Sequence, residues 1–408
     1  MRVTVEAERR GERAVAVVGG GRWAKVFVSV LSTLGLPFRL VVVSSNNAEE
    51  FIGLHDVNGS EILVVSTVEE LLLRHKVVAA IVVNAARQHF LTASRLIEAG
   101  VSILLEKPMA LKQSEVTLLF QRAAKNGVLL MPALSFLYCS YLNRYALAVS
   151  NGGGAFRTTH LEWSDPQDEV RYGENKSYDN GISVVQDVMP HIWSILAITL
   201  HSRELSLDVT SCAIGRGGRK ATFLLSAGAG RCLVSIERDA RLRRRVVKTE
   251  LSSGVRLTLD FTTEPGIISS GDEPYCADPT WHHAETPICQ QLRTFFSCLD
   301  KSKSDEEFGR VGDACIRLTE TCDKLLKSAQ MDWLRQCPRT HLNEDISYAV
   351  CDLLAGNVFD SQDIRSGDRV ALKEHVWGLL QHLASISSTG DWLSALQSHG
   401  LLQPKRFK

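Results

Sequence analysis

Residues 101–110 read Val-Ser-Ile-Leu-Leu-Glu-Lys-Pro-Met-Ala. The apolar run Val101–Leu105 predicts a strand that delivers Glu106-Lys107-Pro108 to its carboxyl end. Open α/β sheets bind their ligands outside the carboxyl ends of the strands, so Lys107 is placed to point at whatever lies above the sheet. The same kind of unit recurs upstream. Ala14–Val18 is a short apolar run ending in glycines, and Val26, Val30 and Leu34 then repeat at helical spacing. Phe38–Val43, Ile62–Val65, Val77–Val83 and Val128–Met131 read as further strands. Helices are expected from Thr67, over His89–Ala99 with a stop at Gly100, and over Gln113–Ala124. Strands alternating with helices imply a parallel sheet, and near-continuous apolar strands imply that both of its faces are covered. Residues 1–135 therefore read as a doubly wound α/β domain.

The pattern changes after this. Ala155–Trp163, Leu205–Ile214, Ala221–Leu225, Arg231–Arg238, Arg245–Leu251 and Val255–Phe261 are short runs with partial alternation, several separated by glycine-rich turns. They predict an antiparallel sheet, and residues 136–330 read as an α+β domain. A helix near Gly181–Thr199 interrupts it, with Pro190 as a possible kink or later start. Helices near Pro287–Leu299 and Phe308–Ser328 follow. Residues 331–408 show apolar stripes at helical spacing, Ile346, Val350, Leu353, Leu354 and then Leu372, Val376, Leu379, Leu380, Leu383, with Trp333, Trp377 and Trp392 as bulk. This predicts a helical C-terminal extension.

The 408 residues carry 46 basic and 46 acidic side chains. That balance argues against a nucleic-acid binder, which concentrates positive charge. No apolar run reaches the ~18 residues of a membrane span, and the first ten residues lack the apolar core of a secretory signal. Ten cysteines without a C-x-x-C pair fit reduced thiols, so a cytoplasmic protein is expected. Cys298, Cys315 and Cys322 are expected to pack as small apolar side chains.

Gly19-x-Gly21-x-x-Ala24 follows a strand and opens a helix. Gly19 permits the tight turn, Gly21 lets backbone N–H groups approach a pyrophosphate, and Ala24 takes the third glycine's place at the helix–strand contact. The helix N-terminus would then face the anion. After the second strand comes Ser44-Ser-Asn-Asn, with no carboxylate to bind a ribose 2′-hydroxyl. Ser44 tolerates a 2′-phosphate and Arg22 is able to pair with it, so NADP is favoured over NAD. The bland alternative for the serines is a solvated loop.

A hydride transfer to a carbonyl needs a proton for the developing alkoxide. Lys107 offers a hydrogen bond and positive charge, and His191 carries a proton near neutral pH. Asp187 lies four residues before His191 and shares its helix face, where it is able to orient the imidazole or bind substrate hydroxyls. The preceding Tyr178-Asp-Asn-Gly reads as a loop.

This ordered set resembles the glucose-fructose oxidoreductase and inositol dehydrogenase (Gfo/Idh/MocA) family. The resemblance rests on the glycine turn with Arg22-Trp23, His89 opening the helix after the fourth strand, Glu106-Lys107-Pro108, and Gly181 with Asp187-x-x-x-His191. It covers roughly 13–330. It implies a Rossmann domain followed by an open-sheet domain, oxidation or reduction of sugars, polyols or related molecules with NAD(P), and assembly of copies through the open sheet. It implies Lys107 and His191 as the catalytic pair with Asp187 assisting. Glu106 and Lys107 would lie near the nicotinamide, and Trp23, Asn84 and His89 would belong to the cofactor site. Asn84-Ala85 departs from the usual Thr-Pro, though Asn84 still offers a hydrogen bond. Residues 331–408 have no counterpart in the family pattern and are expected to be open to a protein partner.

The basic run Ala240–Lys248 reads first as the solvated side or edge of a strand and second as a site for an anionic substrate such as a sugar nucleotide. Arg157, Glu162 and Asp165 are expected at the surface. Trp281-His-His carries no spaced ligand pattern, so no metal is assigned. The expected function is an NAD(P)-dependent oxidoreductase acting on a sugar-like hydroxyl or carbonyl. The alternatives are an imine or cyclic-intermediate reductase of a specialised biosynthetic pathway and a catalytically silent dinucleotide-binding sensor or scaffold.

Overall fold

In the computed structural model the described residues are 13–167, 169–171, 174–175, 181–202, 205–271, 273–299, 305–358, 369–386 and 389–402. The expected loop at Tyr178-Asp-Asn and the polar lead-in at 1–10 lie outside them. The chain divides into two compact units. The first holds the chain up to Leu142 and Thr280–Arg317; the second holds Asn143–His201, Leu205–Pro279 and the chain from Leu318 onward.

The first unit is built on six parallel strands: β1 Arg13–Val18, β2 Arg39–Val43, β3 Leu63–Val65, β4 Lys76–Val82, β5 Ser102–Glu106 and β6 Leu130–Ala133. Their order is β3-β2-β1-β4-β5-β6, so the strand order reverses between β1 and β4. That reversal opens a crevice at the carboxyl ends of β1 and β4, where such sheets bind ligands. The alternation along β1 shows why the sheet is buried on both faces. Ala14, Ala16 and Val18 join an apolar cluster with Leu96, Ile97 and Leu119. Val15 and Val17 join another with Phe27, Val28 and Leu31. The distant helix Pro287–Cys298 contributes Leu292 and Phe295 to the second cluster, and Ile316 enters the first. Helix ends follow the local signals: Thr67 caps Val68–Arg74 by accepting from Glu70 N, and Gly127 ends Gln113–Asn126 in the left-handed region.

The large sheet of the second unit holds eight strands among the described residues: β7 Phe156–Pro166, β10 Asp208–Gly215, β11 Lys220–Ala227, β12 Gly230–Ala240, β13 Arg244–Leu251, β14 Arg256–Asp260, β15 Ile267–Ser270 and β16 Glu273–Cys276. A separate antiparallel ribbon pairs β8 Val170–Arg171 with β9 Glu174–Asn175. The large sheet runs β10-β11-β12-β7-β13-β14-β15-β16, antiparallel except where β12 meets β7. Strands β11 and β12 alternate buried and open residues, and the helix Val184–Thr199 packs against β12. Pro190 sits inside that helix without ending it; the helix starts at Val184 under a Ser183/Gln186 capping box.

Two expectations are corrected here. β13 is an internal strand between β7 and β14, so Ala240–Lys248 is not an edge. Its residues divide by face: Arg244 and Lys248 are half-exposed and pair with Glu162, whereas Arg245 is buried. Asp165 is also buried, as the partner of Arg245, while Arg157 is exposed as expected. Strands β15 and β16, too short and polar to stand out in the sequence, extend the sheet.

Helices Glu344–Val358, Arg369–Ile386 and Trp392–Ser398 bury Ile346, Val350, Leu353, Val376, Leu380, Leu383 and Trp392 in a separate cluster with Leu334. The side chain of Leu372 lies outside the described residues. All ten cysteines are free thiols; Cys315 and Cys322 are buried, Cys298 only partly. Among the described residues no helix is long and apolar enough to cross a membrane.

The C-terminal helices carry a buried carboxylate, Asp352, which accepts from Gln330 Nε2 at 2.9 Å. Burial, then the charge of Asp323, pushes Asp352 up to about 6. Its proton is held more tightly in the folded chain than in the unfolded one. Folding stability is therefore expected to fall as pH rises from the unfolded carboxylate range, near 4, through about 6 and then to level off, by about 3 kcal/mol from this group. Asp352→Asn should lack that component. Thermal melts at pH 4.5 and 7.5 should show the variant gaining on the wild type at the higher pH; a constant difference between the two proteins would contradict the assignment.

Candidate functional site

The glycine loop lies at the crevice. Gly19 has φ +143°, and a Cβ there would stand 2.9 Å from the Val83 carbonyl carbon and oxygen. A Cβ on Gly20 would fall 2.1 Å from Ser44 Oγ. At Gly21 a Cβ would meet nothing within 4 Å. The loop is thus packed below, against β4 and β2, and open at Gly21. Gly21 is the N-cap of the helix Arg22–Thr33, with no side-chain cap and no acidic residue in the first turn. The first N–H groups of a helix have no partner within it, and with no carboxylate beside them these are fit to meet an anion. Ala24 is fully buried, which is why a small residue stands there. Trp23 packs partly into the core, and the Arg22 guanidinium lies 5.7 Å from its ring centroid.

Ser44 is buried rather than held out to solvent; its Oγ accepts the Asn47 N–H, and Asn47 Nδ2 donates to the Gly20 carbonyl at 2.8 Å. The segment after β2 therefore braces the glycine loop. Asn47 is a residue that sequence reasoning missed; its signal was its place in Ser-Ser-Asn-Asn at the end of β2.

Asn84 ends β4. Its Nδ2 donates to Thr92 Oγ1 at 2.9 Å, while its Oδ1 is buried without a hydrogen-bond partner. A buried acceptor left in this state is costly unless a ligand supplies a donor. Open space at Gly21, an uncapped helix start and an orphaned acceptor at the end of β4 together fit a dinucleotide.

Lys107 follows β5 and is half-buried. Two contacts fix its backbone. Its N–H donates to Glu106 Oε2 at 2.6 Å, and His89 Nδ1 reaches the next carbonyl, of Pro108, at 2.7 Å. His89 Nε2 stands 3.0 Å from the Asn84 carbonyl. Two donated bonds would need the imidazolium, but burial, and to a smaller degree the Lys107 charge, holds His89 below the usual imidazole range. The neutral ring has one N–H, and the shorter contact to Pro108 is where it belongs. His89 thus works through backbone, tying the start of its own helix to the turn after β5.

Asp187 and His191 lie in the second unit, one turn apart on Val184–Thr199. His191 stacks on Trp163, with centroids 5.2 Å apart and planes 19° apart. The same indole takes the Arg245 guanidinium at 3.5 Å from its centroid and donates from Nε1 to Asp165 at 3.2 Å. Arg245 also donates to the Asp165 carboxylate and, at 2.6 Å, to the Ser164 carbonyl. His191 therefore rests on a platform whose tilt is set by a buried ion pair. Asp187 is held by Arg238, whose Nη2 is 3.6 Å from its Oδ2.

Residues 13–134 match the family described as "Oxidoreductase family, NAD-binding Rossmann fold", Gfo/Idh/MocA. The first unit carries a Rossmann domain of the Gfo/Idh/MocA oxidoreductase type. No curated protein matches the chain in sequence. Among solved structures, the fold is shared with KijD10, a 3-ketoreductase from Actinomadura kijaniata in complex with NADP and TDP-benzene, at 17% identity and TM-score 0.63, covering 77% of this chain and 97% of that one. It is shared with the UDP-N-acetylglucosamine 3-dehydrogenase GnnA from Acidithiobacillus ferrooxidans at 18% and 0.61, covering 78% and 99%. A putative oxidoreductase from Magnetospirillum magnetotacticum MS-1 gives 18% and 0.56, covering 76% and 99%. A Gfo/Idh/MocA domain accounts for the loop geometry above: the glycines, the bare helix start and the Glu106-Lys107-Pro108 turn all border the crevice of one parallel sheet.

Proposed function

We propose that the protein is an NADP-preferring oxidoreductase that moves a hydride between the nicotinamide and a hydroxyl or carbonyl carbon of a sugar-like substrate. The observation that carries this is the pairing of a dinucleotide-fit glycine loop with a lysine whose backbone is pinned from both sides at the end of β5. The bound nicotinamide supplies or accepts the hydride. Lys107 donates a hydrogen bond to the substrate oxygen and stabilises its developing negative charge. His191 gives that oxygen its proton in reduction and takes it in oxidation. Asp187 orients the imidazole or holds a neighbouring hydroxyl. Arg22 and the Asn-Ser loop after β2, which lacks a carboxylate, favour a 2′-phosphate over a bare ribose.

The proposal extends to sugars carried on a nucleotide, because KijD10 was crystallised with TDP-benzene and GnnA acts on a UDP-sugar. The test is binding of NADPH and NADH followed by fluorescence, then NADPH oxidation with a panel of TDP- and UDP-ketosugars, free ketosugars and cyclic imines. Tighter NADPH binding and turnover on a ketosugar are expected. Turnover confined to imines would replace the substrate class, and binding without turnover on any of them would overturn the enzyme reading.

A further inference from the structure

We propose that Arg238 is a positioning residue that fixes the first turn of the helix carrying Asp187 and His191, and that the helix Asp305–Gln336 holds the same turn from its other side through Ser183. The proposal rests on the reading of those two residues as an acid–base pair.

Arg238 continues the inward face of β12. Cys232, Val234 and Ile236 are each fully buried on that face, and Arg238 follows them at 3% exposure. A guanidinium in that row is stable only if its donors are used and its charge is met. Nη1 donates to the Ile182 carbonyl at 3.2 Å and Nη2 to the Ser183 carbonyl at 3.3 Å. The same Nη2 faces the Asp187 carboxylate. One planar fork thus holds the two residues before the helix and the acidic residue in its first turn, a geometry that a single ammonium does not reproduce.

The other side of the same turn is held from the C-terminal part of the chain. Ser183 caps the helix and its hydroxyl donates to Asp323, which pairs with Lys327 at 2.7 Å. Gln330 bridges Asp352 and the Gly217 carbonyl. Asp352 feels the Arg238 charge, which opposes the upward effect of its burial. Asp323, Lys327 and Gln330 lie on Asp305–Gln336, and Asp352 lies on Glu344–Val358. The helix that presents His191 is therefore gripped from the sheet by Arg238 and, through Ser183, by Asp323 of the helix Asp305–Gln336.

The test compares Arg238→Met, Arg238→Lys, Asp187→Asn and the double variant Arg238→Met/Asp187→Asn. Arg238→Met should lower kcat by about 10²-fold, the scale of a misplaced acid–base group, with the KM for NADPH within about twofold. Arg238→Lys should fall between it and the wild type. The double variant should be no slower than the slower single variant, because the two residues act as a unit. Amide hydrogen exchange over 184–191 should be faster in Arg238→Met. Multiplicative losses, or wild-type kcat in Arg238→Met (or in Arg238→Lys, should Arg238→Met fail to fold), would overturn the positioning role. If Asp187→Asn alone turns over like the wild type, the acid–base reading of Asp187 falls. The exchange measurement then decides the clamp, and unchanged exchange over 184–191 in the folded Arg238 variants overturns it.

Discussion

Lys107→Met is expected to lower turnover by about 10²-fold or more while leaving cofactor affinity within about tenfold, the scale of losing a group that acts on the reacting oxygen. The asymmetry follows from how the residue is held. The backbone on both sides is fixed by groups that the substitution leaves in place: Glu106 accepts the Lys107 N–H, and His89 reaches the Pro108 carbonyl. Methionine matches the length of the lysine stem and removes only the ammonium. The glycine loop, Asn47 and Asn84 are unchanged, so the dinucleotide should still bind. Steady-state kinetics with fluorescence titration of NADPH checks both halves. Unchanged turnover would remove Lys107 from the chemistry, whereas a collapse of cofactor binding would give it a cofactor-binding role instead.

Arg245→Met is the substitution expected to cost the most stability. Arg245 is 1% exposed and donates to Asp165, itself buried, and to the Ser164 and Arg244 carbonyls. Removing one member of a buried pair leaves a carboxylate desolvated without its counter-charge, typically about 3–5 kcal/mol. The second consequence is functional. Trp163 loses the guanidinium stacked on its ring and keeps a distorted Asp165 contact, so the surface under His191 shifts and turnover should fall with stability. Denaturant unfolding measures the first effect. The double replacement Asp165→Leu/Arg245→Met should recover much of the stability, since matched apolar residues restore packing without a stranded charge. An Arg245→Met protein within about 1 kcal/mol of the wild type would show that the pair is not the support described here.

Much of the first unit was legible because its strands are apolar on both faces and stop at glycine, asparagine or Glu-Lys-Pro. The glycine turn, Asn84, Lys107 and the Asp187–His191 spacing were visible as residue types in order. What they rest on was less visible. Asp165 and the basic run at 240–248 were read as surface because charge was weighed above alternation, yet β13 is internal and places Arg245 inward. Arg238 carried a signal that went unused: it is the next inward position after Cys232, Val234 and Ile236. The packing of the Ser44 side chain beside Gly20 was not visible either, because residue type alone does not show which way a serine at a strand end faces. The return of Pro287–Cys298 to the core of the first unit left no trace in the sequence, since contacts between distant segments have no period to read.

The most direct test of the account is a crystal structure of the protein with NADP and a substrate or unreactive analogue. The account expects Lys107 Nζ and a His191 ring nitrogen both within about 2.6–3.2 Å of the substrate oxygen on the carbon facing the nicotinamide. A complex in which either group is turned away from that oxygen, with no water between them, would contradict it.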